Sequence, residues 1–420
     1  MEMTKEQLEL ITNQLATIKE RSPFYAKKFE GIDVTDVRTQ ADFEKLPFSE
    51  KDDLRAVYPL GLQAVPDEEV VRIHSSSGTT GTPVIIPYTQ QDVIDWATQF
   101  ARCYEMAGIT PLDRIQITPG YGLWTAGIGF QLGAERLGAM AIPMGPGNTE
   151  KQLKMMQDLK STVICATSSY ALLLAEEITK RNLRDKIHLK KGVIGSERWG
   201  EKMRNRIQDE LGIEIYDIYG LTEVYGPGIG ISCDAHDGMH IWDDFVYIEI
   251  VDPETGEVLP DGQEGELVLT TLRKQGAPLI RYRTRDITSL SHTPCSCGRT
   301  FAKLHRFTGR TDDMLIIRGV NVYPSQIESI LLETEGVSPH YQIIVTREGA
   351  LDNVEVQVEV SGSNFSDTIK DLQRRENAIQ KTIKEFLGIT SKVRLVEPRT
   401  IQRSEGKAVR VLDKRAKADA

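Results

Sequence analysis

At 420 residues the chain is long enough for two to three domains of roughly 150 residues, and its 40% hydrophobic and 27% charged residues are typical of a soluble globular protein. With 51 basic and 61 acidic side chains, the net charge of −10 argues against nucleic acid or an anionic membrane as the main partner. Five cysteines exclude a disulfide scaffold and favour a reducing compartment. The N-terminal stretch MEMTKEQLELITNQLATIKE has a helical period and no apolar signal core, so we expect a cytoplasmic protein.

From about Thr89 to Tyr219, short apolar runs alternate with stretches of helical period. The candidate strands are Arg114–Thr118, Ala139–Pro143, Thr162–Ala166, Gly192–Gly195 and Glu214–Ile218. The candidate helices between them are Asn148–Leu159, Ser168–Arg181 and Trp199–Leu211. Strands separated by helices of this length predict βα units and a largely parallel sheet.

After Gly230 the pattern changes, because two strand-like runs flank the turn-rich segment DPETGEVLPDGQEG. A β-rich subdomain is therefore predicted at about 231–308. The last part of the chain alternates predicted helices and strands, namely Ser325–Glu335, Tyr341–Thr346, Val354–Val360, Asp367–Leu387 and Val393–Val396. The expected fold class is α/β, with a large N-terminal domain over 1–311 and a small α+β C-terminal domain over 312–420.

The segment SSSGTTGTP, from Ser75 to Pro83, follows a short apolar run. Its hydroxyl groups and two glycines can wrap N–H and O–H donors around a phosphate chain. The spacing of a Walker A loop is absent. On composition alone the segment could also be a flexible Ser/Gly/Thr turn.

SSSGTTGTP resembles the phosphate loop of the adenylate-forming acyl-CoA ligase superfamily, and four further segments resemble its later motifs in the same order. These are DIYGLTE (Asp217–Glu223), YRTRD (Tyr282–Asp286), GRTDDMLIIRGVNVYPSQIE (Gly309–Glu328) and SEGKAVR (Ser404–Arg410). SPFYAKKF, LPFSEKDDLR, GYGLWT and DGMHIWDD resemble more narrowly the phenylacetate–CoA ligases. The resemblance implies two steps: a carboxylate attacks the α-phosphate of ATP, giving an acyl-adenylate and pyrophosphate, and coenzyme A then displaces AMP.

The resemblance also implies which residues bind the nucleotide. They are Ser75, Ser76, Ser77, Gly78, Thr79, Thr80, Gly81, Ser196, Glu197, Asp217, Tyr219, Gly220, Asp286 and Arg310. Thr79 and Thr80 would bind the β- and γ-phosphates, and Asp286 would accept both ribose hydroxyls. Thr222 would reach the α-phosphate and Glu223 would hold Mg²⁺, so these two join the catalytic set.

The C-terminal motifs imply a third catalytic residue and a mobile lid. Lys407 would bridge the acyl oxygen and the α-phosphate, although a lysine in a basic tail is usually solvated. Asp312 would be the hinge of the lid, or else only cap its first element. Ile317 and Gly319 would shape the tunnel for coenzyme A.

Two departures from the family's pattern concern the nucleotide. Its phosphate loop commonly carries a lysine where this chain has Thr82, so one cation facing the phosphates is missing. The phenylacetate branch typically carries Gly-Ala-Glu-Pro where this chain has Gly195-Ser196-Glu197-Arg198. Loss of the proline makes that turn less rigid.

Cys295-Ser296-Cys297-Gly298 is a CxC turn, and Cys233 and His240 lie upstream. Three cysteines and a histidine would complete a tetrahedral structural zinc site. His236 is a competing ligand, and thiols placed in loops by chance are the alternative.

The segment Gly120–Trp124 follows a predicted strand, where open α/β sheets place ligands. Tyr121 and Trp124 could line an apolar slot for an aromatic ring, with Gly220 giving the carboxylate room, or they could be core residues. The expected function is activation of phenylacetate, or a close aryl-acetate, with ATP and coenzyme A; a homodimer is what the resemblance suggests. The alternatives are a relative that uses another aryl acid or a non-CoA acceptor, and a nucleotide-binding regulatory module.

Overall fold

The computed structural model describes residues 3–76, 82–197, 201–313, 315–318, 320–348, 351–361, 369–403 and 409–415. Several predicted site residues therefore lie outside the described residues, namely Ser77, Gly78, Thr79, Thr80, Gly81, Gly319 and Lys407. Among the described helices, none combines the length and the apolar character that a bilayer crossing requires.

The helices are α1 Lys5–Arg21, α2 Pro23–Lys28, α3 Gln40–Phe43, α4 Lys51–Ala56, α5 Gln90–Met106, α6 Ala126–Leu137, α7 Thr149–Asp158, α8 Ser168–Lys180, α9 Glu201–Leu211, α10 Pro324–Glu333 and α11 Ile369–Leu387. The strands are β1 Val70–Ser75, β2 Ile85–Thr89, β3 Arg114–Ile117, β4 Met140–Pro143, β5 Val163–Thr167, β6 Lys191–Gly195, β7 Glu214–Leu221, β8 Gly226–Ser232, β9 Met239–Ile241, β10 Val246–Val251, β11 Gly265–Thr271, β12 Tyr282–Thr288, β13 Leu290–Ser291, β14 Lys303–Leu304, β15 Gly309–Arg310, β16 Leu315–Ile317, β17 Val320–Val322, β18 Val337–Glu348, β19 Leu351–Val360, β20 Ser391–Val396 and β21 Val411–Asp413.

The chain forms two compact units. The first consists of Met1–Ala166, Asp185–Ser196 and Ile213–Thr308, and the second of Thr167–Arg184, Glu197–Gly212 and Gly309–Ala420. The element order confirms the predicted α/β fold class. The domain boundary between residues 311 and 312 stays a prediction.

A nine-stranded sheet forms the centre of the first unit, in the order β13-β14-β9-β8-β7-β6-β5-β3-β4. The pairs β3–β4, β3–β5 and β6–β7 are parallel, whereas the pairs from β7 to β9 and from β9 through β14 to β13 are antiparallel. The parallel half thus agrees with the predicted βα units. Its strands are short apolar runs buried in one core cluster, which includes Ile115, Ile117, Val163, Cys165 and Val193.

Two smaller β structures and a helix pair complete the first unit. The strands β1 and β2 form an antiparallel hairpin, and β10, β11 and β12 pair antiparallel in the predicted β-rich region. Helix α5 begins with a capping box between Thr89 and Asp92. It packs closely on α6, because a Cβ on Gly133 would lie 2.7 Å from the Phe100 ring.

In the second unit, four strands pair in the order β20-β19-β18-β21. The strand β19 alternates as predicted, with Val354, Val356 and Val358 buried between half-exposed polar residues. Those valines share a core with Ile379 and Ile383 on the buried face of α11. The helix ends at Leu387, and Gly388 follows with φ +69°, the left-handed conformation that glycine adopts after a helix.

Candidate active site

Strand β7 and the residues after it carry the first group of predicted site residues. Thr222 and Glu223 follow the strand directly, in the chain turn that leads to β8. The side chain of Glu223 is buried, and its Oε1 lies 2.9 Å from Nζ of Lys51, the first residue of α4. A buried carboxylate is costly unless it has a charged partner. Here Lys51 supplies that partner, and the analysis of the sequence had given it no role.

Thr222 contacts the residue that directly follows the predicted acyl segment Gly120–Trp124. Its Oγ1 lies 3.1 Å from Oγ1 of Thr125, the buried residue before α6. Gly220, on β7, is required by a close backbone approach, because a Cβ there would lie 2.0 Å from the carbonyl oxygen of Gly226. This contact alone accounts for glycine at position 220.

Asp286 and Tyr219 form a second part of the site. The Tyr219 hydroxyl donates to Oδ2 of Asp286 at 2.7 Å, and the Tyr219 ring stacks on Phe307. Asp286 is buried on β12, where Thr284 accepts a hydrogen bond from its backbone N–H. The backbone N–H of Asp217, also on β7, donates to Ser232. Asp286, the predicted ribose residue, and Tyr219, another predicted nucleotide-binding residue, are therefore held in contact with each other.

The structure places Ser75 and Ser76 at the entrance to the predicted phosphate loop. Both are buried, and Ser76 exchanges hydrogen bonds with the backbone of Val84 across the loop. The carbonyl oxygen of Leu123 accepts from the backbone N–H of Ser75 at 2.8 Å and from Nδ1 of His74 at 3.0 Å. The phosphate loop is thus tied to the predicted acyl segment where it begins.

The two aromatic residues of the predicted acyl segment have different environments. The Tyr121 ring packs on the core of the first unit, and a Cβ on Gly127 would lie 2.7 Å from it. Burial raises the pKa of Tyr121 above its usual range. Trp124 is half-buried, and its ring lies against Gly120. The Tyr121 ring is therefore held in place by the core.

Other predicted residues make local contacts. Glu197 accepts from the Ser168 hydroxyl at 2.9 Å and from the Ser169 N–H at 2.8 Å, at the start of α8. Arg310 makes two hydrogen bonds of 2.8 Å to Asp312, which joins the predicted ribose residue to the predicted hinge. Ile317 is 1% exposed in the core of the second unit. Ser196, which precedes Glu197, has φ +69°.

The cysteine and histidine cluster is assembled as the sequence predicted. Cys233 follows β8, His240 lies in β9, and Cys295 and Cys297 lie in the turn after β13. One ligand atom from each of the four lies within 4.8 Å of every other. Cys233 Sγ lies 3.6 Å from Cys295 Sγ, and Cys297 Sγ lies 3.3 Å from His240 Nε2.

The surroundings of the cluster favour metal ligation. His240 Nδ1 lies 3.0 Å from the carbonyl oxygen of Phe301, which directs Nε2 towards the sulfur atoms. Burial raises the pKa of the Cys233 thiol, whereas at Cys297 burial is outweighed by hydrogen bonds, first from the backbone of Arg299, and the pKa falls to about 6. The competing ligand His236 instead lies 3.6 Å from Glu214.

Comparisons with known proteins identify the family to which the chain belongs. The family model "AMP-binding enzyme" matches residues 10–272, and the model "AMP-binding enzyme C-terminal domain" matches residues 319–415. The chain is 45% identical to the phenylacetate–coenzyme A ligase of Thermus thermophilus, over 97% of this chain and 96% of that ligase. It is 46% identical to the phenylacetate–coenzyme A ligase of Escherichia coli, over 94% of this chain and 91% of that ligase.

Among solved structures, 2-hydroxyisobutyryl-CoA ligase in the postadenylation state, in complex with R3-HIB-AMP, superposes with a TM-score of 0.89. The two sequences are 30% identical, and the superposition covers 97% of this chain and 89% of the ligase. The predicted resemblance is thereby confirmed: the chain belongs to the family of AMP-binding, adenylate-forming enzymes.

Proposed function

We propose that the protein activates phenylacetate with ATP to an acyl-adenylate and then transfers the acyl group to coenzyme A, releasing pyrophosphate and AMP. The proposal rests on four relatives named phenylacetate–coenzyme A ligase, which are 43–46% identical over at least 94% of this chain. The geometry that supports it is the group formed by Thr222, Glu223 and the Tyr219–Asp286 pair around β7.

In the adenylation step, negative charge moves onto the phosphates, so cations must already be in place. Lys51 and Glu223 already form an ion pair next to Thr222, and we call this pair the Glu223–Lys51 corner. A single buried carboxylate fits Mg²⁺, which proteins usually hold through one or two carboxylates while water and phosphate oxygens fill the other positions. When bound, the ion neutralises part of the phosphate charge. We propose that Glu223 holds it and that the Lys51 ammonium adds a second positive charge beside the phosphates.

The remaining nucleotide roles follow from the same geometry. Asp286 would accept the ribose hydroxyls, with Tyr219 fixing the orientation of its carboxylate. Thr222, which contacts Thr125, would face the α-phosphate beside the acyl segment. Lys407 stays the predicted cation at the bond that forms. Thr82 stands where the family's phosphate loop commonly carries a lysine, and Lys51 would supply a cation from another part of the chain.

We also propose that the cysteine cluster binds a structural zinc ion. In a tetrahedral site with Zn–S bonds of about 2.3 Å and Zn–N bonds of about 2.0 Å, ligand atoms lie about 3.5–3.8 Å apart. The Cys233–Cys295 distance of 3.6 Å and the Cys297–His240 distance of 3.3 Å lie within about 0.2 Å of those values. All four ligand atoms lie within 4.8 Å of one another, so side-chain adjustments of about 1 Å would complete the tetrahedron. Four protein ligands leave no open position, so the ion would take no part in catalysis.

The test is coenzyme A-dependent AMP formation across a panel of aryl and alkyl carboxylic acids. We expect strong turnover with phenylacetate and weak turnover with acetate. Acid-dependent pyrophosphate release without consumption of coenzyme A would favour the second candidate, an adenylate-forming enzyme with another acceptor. Failure of every acid in ATP–pyrophosphate exchange would contradict the ligase and favour the regulatory module. The homodimer and the cytoplasmic location stay predictions.

A further inference from the structure

Three arginines stand at alternate positions along β12: Arg281 directly precedes the strand, and Arg283 and Arg285 lie within it. Burial alternates along the strand, with Tyr282, Thr284 and Asp286 buried and the intervening arginines half-buried. Side chains of successive residues in a strand point to opposite faces. The burial pattern follows that alternation, although the pairing with β11 shifts register between Arg283 and Ile287, and the ribose role of Asp286 leaves the arginines unexplained.

Hydrogen bonds of the Arg281 side chain and of the backbones of Arg281 and Arg283 hold residues 44–49 of the N-terminal region beside β12. Arg281 donates to the carbonyl oxygens of Glu44 and Leu46. The backbone of Ser49 then pairs with the strand, since its N–H donates to Arg281 and its carbonyl oxygen accepts from Arg283 at 2.9 Å. This stretch is thus laid beside β12 as a short parallel extension.

Arg285 binds the next residue along that stretch. Its NH2 group lies 2.5 Å from Oε2 of Glu50, the residue that caps the start of α4. Arg285 has φ +68°, in the left-handed region that a long side chain rarely adopts. Such a conformation persists only where the surroundings enforce it. The backbone N–H of Arg285 donates to Oε1 of the buried Glu266 at 3.2 Å, and its guanidinium pairs with Glu50.

Lys51 follows Glu50 directly, and its ammonium contacts Glu223. The Lys51 ammonium reaches Glu223 only while α4 begins within the length of the lysine side chain, whose flexible stem gives it no fixed position of its own. We propose that Arg285, acting through Glu50, is a positioning residue that holds Lys51 beside Glu223 for binding of the ATP phosphates. The inference rests on the proposed function, since it assumes that Glu223 and Lys51 face the nucleotide.

A purely structural role is the rival explanation, and exposure separates the two. Arg281 and Arg283 pair with Glu249 and Glu266, carboxylates that are 1% and 0% exposed. The Arg285 and Glu50 side chains are instead 29% and 39% exposed, although Arg285 also lies 3.7 Å from Glu266 and Glu50 lies 3.7 Å from Arg283. Because Arg283 binds Glu266 at 2.5 Å, loss of the Arg285 side chain leaves that buried carboxylate with a partner. A pair in contact with water adds little to stability. Its loss should therefore displace Lys51 without unfolding the protein.

The test is a double-mutant cycle between Arg285→Gln and Lys51→Ala in the full chain, measured as ATP affinity by calorimetry and as KM for ATP in ATP–pyrophosphate exchange. We expect Arg285→Gln to weaken ATP binding about tenfold and Lys51→Ala about 10²-fold, with the double variant no worse than Lys51→Ala. Glu50→Gln should resemble Arg285→Gln, and Arg285→Lys, which keeps the charge, should restore most of the affinity. kcat at saturating ATP should change less than KM.

The matched control is Lys45→Gln, which removes an exposed ion pair with Asp42 in the same N-terminal stretch and should leave ATP binding unchanged. Multiplying effects in the double variant would overturn the inference, because Arg285 would then act independently of Lys51. So would a fall in the melting temperature of Arg285→Gln large enough to explain its loss of affinity. A wild-type protein that binds ATP but activates no acid would contradict the proposed function alone, since the affinity cycle needs no turnover.

Discussion

The cysteine cluster and the Glu223–Lys51 corner both lie in the first unit, and both join residues that are far apart in the chain. The cluster has four ligand atoms within 4.8 Å of one another and can enclose an ion. The corner has one carboxylate and one ammonium at 2.9 Å, which leaves most of the coordination to what binds there. The difference teaches how the two proposed roles diverge, because soft ligands in a closed set are typical of a structural metal and hard ligands in an open set are typical of a metal that meets substrate.

The largest effect we expect concerns Lys407, the predicted catalytic cation. Lys407→Ala should lower adenylation by on the order of 10²–10³-fold, because a positive charge at the α-phosphate stabilises the transition state. A supplied acyl-adenylate should still react with coenzyme A in that variant. The two half-reactions are measured separately by pyrophosphate release and by thioester formation. Equal loss of both would contradict the role of Lys407.

Lys51→Ala tests whether the corner serves substrate and not structure. We expect kcat/KM for ATP to fall about 10²-fold, since one cation beside the phosphates is lost. The melting temperature should change little, although the variant leaves Glu223 without its ammonium partner, because Mg²⁺ can compensate. Steady-state kinetics and calorimetric melting in the presence of Mg²⁺ check both parts. A large loss of stability with unchanged kinetics would reverse the comparison.

Cys295→Ser tests the cysteine cluster, where we expect lower stability and little change in turnover. Zinc content, measured by mass spectrometry, should fall from about one per chain towards zero, and the melting temperature should drop by roughly 5 °C. Turnover per folded molecule should stay near that of the wild type. Cys103→Ala is the control, because that thiol is buried but donates to Gly228, outside the cluster. Wild-type protein purified without chelators and free of zinc would contradict the site.

How much of each region the sequence could predict depends on residue type. Cysteine and histidine are rare, so Cys233, His240, Cys295 and Cys297 could be grouped before their distances were known. Lysine and glutamate are abundant, so nothing local distinguishes Lys51 from its neighbours, and its pairing with Glu223 depends on how the stretch before α4 lies along β12. The predicted strands and helices, set by local periodicity, agree with the structure within a few residues. The antiparallel half of the large sheet depends on long-range pairing and was not predicted.

The smallest effect we expect concerns a second lysine, Lys274, and the pH dependence of the free energy of unfolding. Lys274 is 1% exposed, its Nζ lies 3.3 Å from the centroid of the Tyr88 ring, and burial lowers its pKa to about 7, with Asp92 and Asp95 opposing the shift. From pH 7 to about 10.5 the unfolded chain holds this proton and the folded chain does not, so the free energy of unfolding should rise with pH by up to about 1.4 kcal/mol per unit.

Lys274→Met removes that proton and should flatten the rise. Urea unfolding of the wild type and of Lys274→Met at pH 7, 8 and 9 measures the difference. An identical rise in Lys274→Met and in the wild type would assign the pH dependence to other groups.

The spacing of the cysteine cluster has a consequence for cleavage of the backbone. Cys233 and His240 lie before the exposed turn between β10 and β11, and Cys295 and Cys297 lie after it. A protease cut or an engineered break within residues 252–264 would yield two fragments, each carrying two of the four ligands. Zinc would then bridge the fragments, alongside the hydrogen bonds between β10 and β11. We expect this turn to be the place where the enzyme can be divided into two genes and reassembled, with the yield of reassembly controlled by metal.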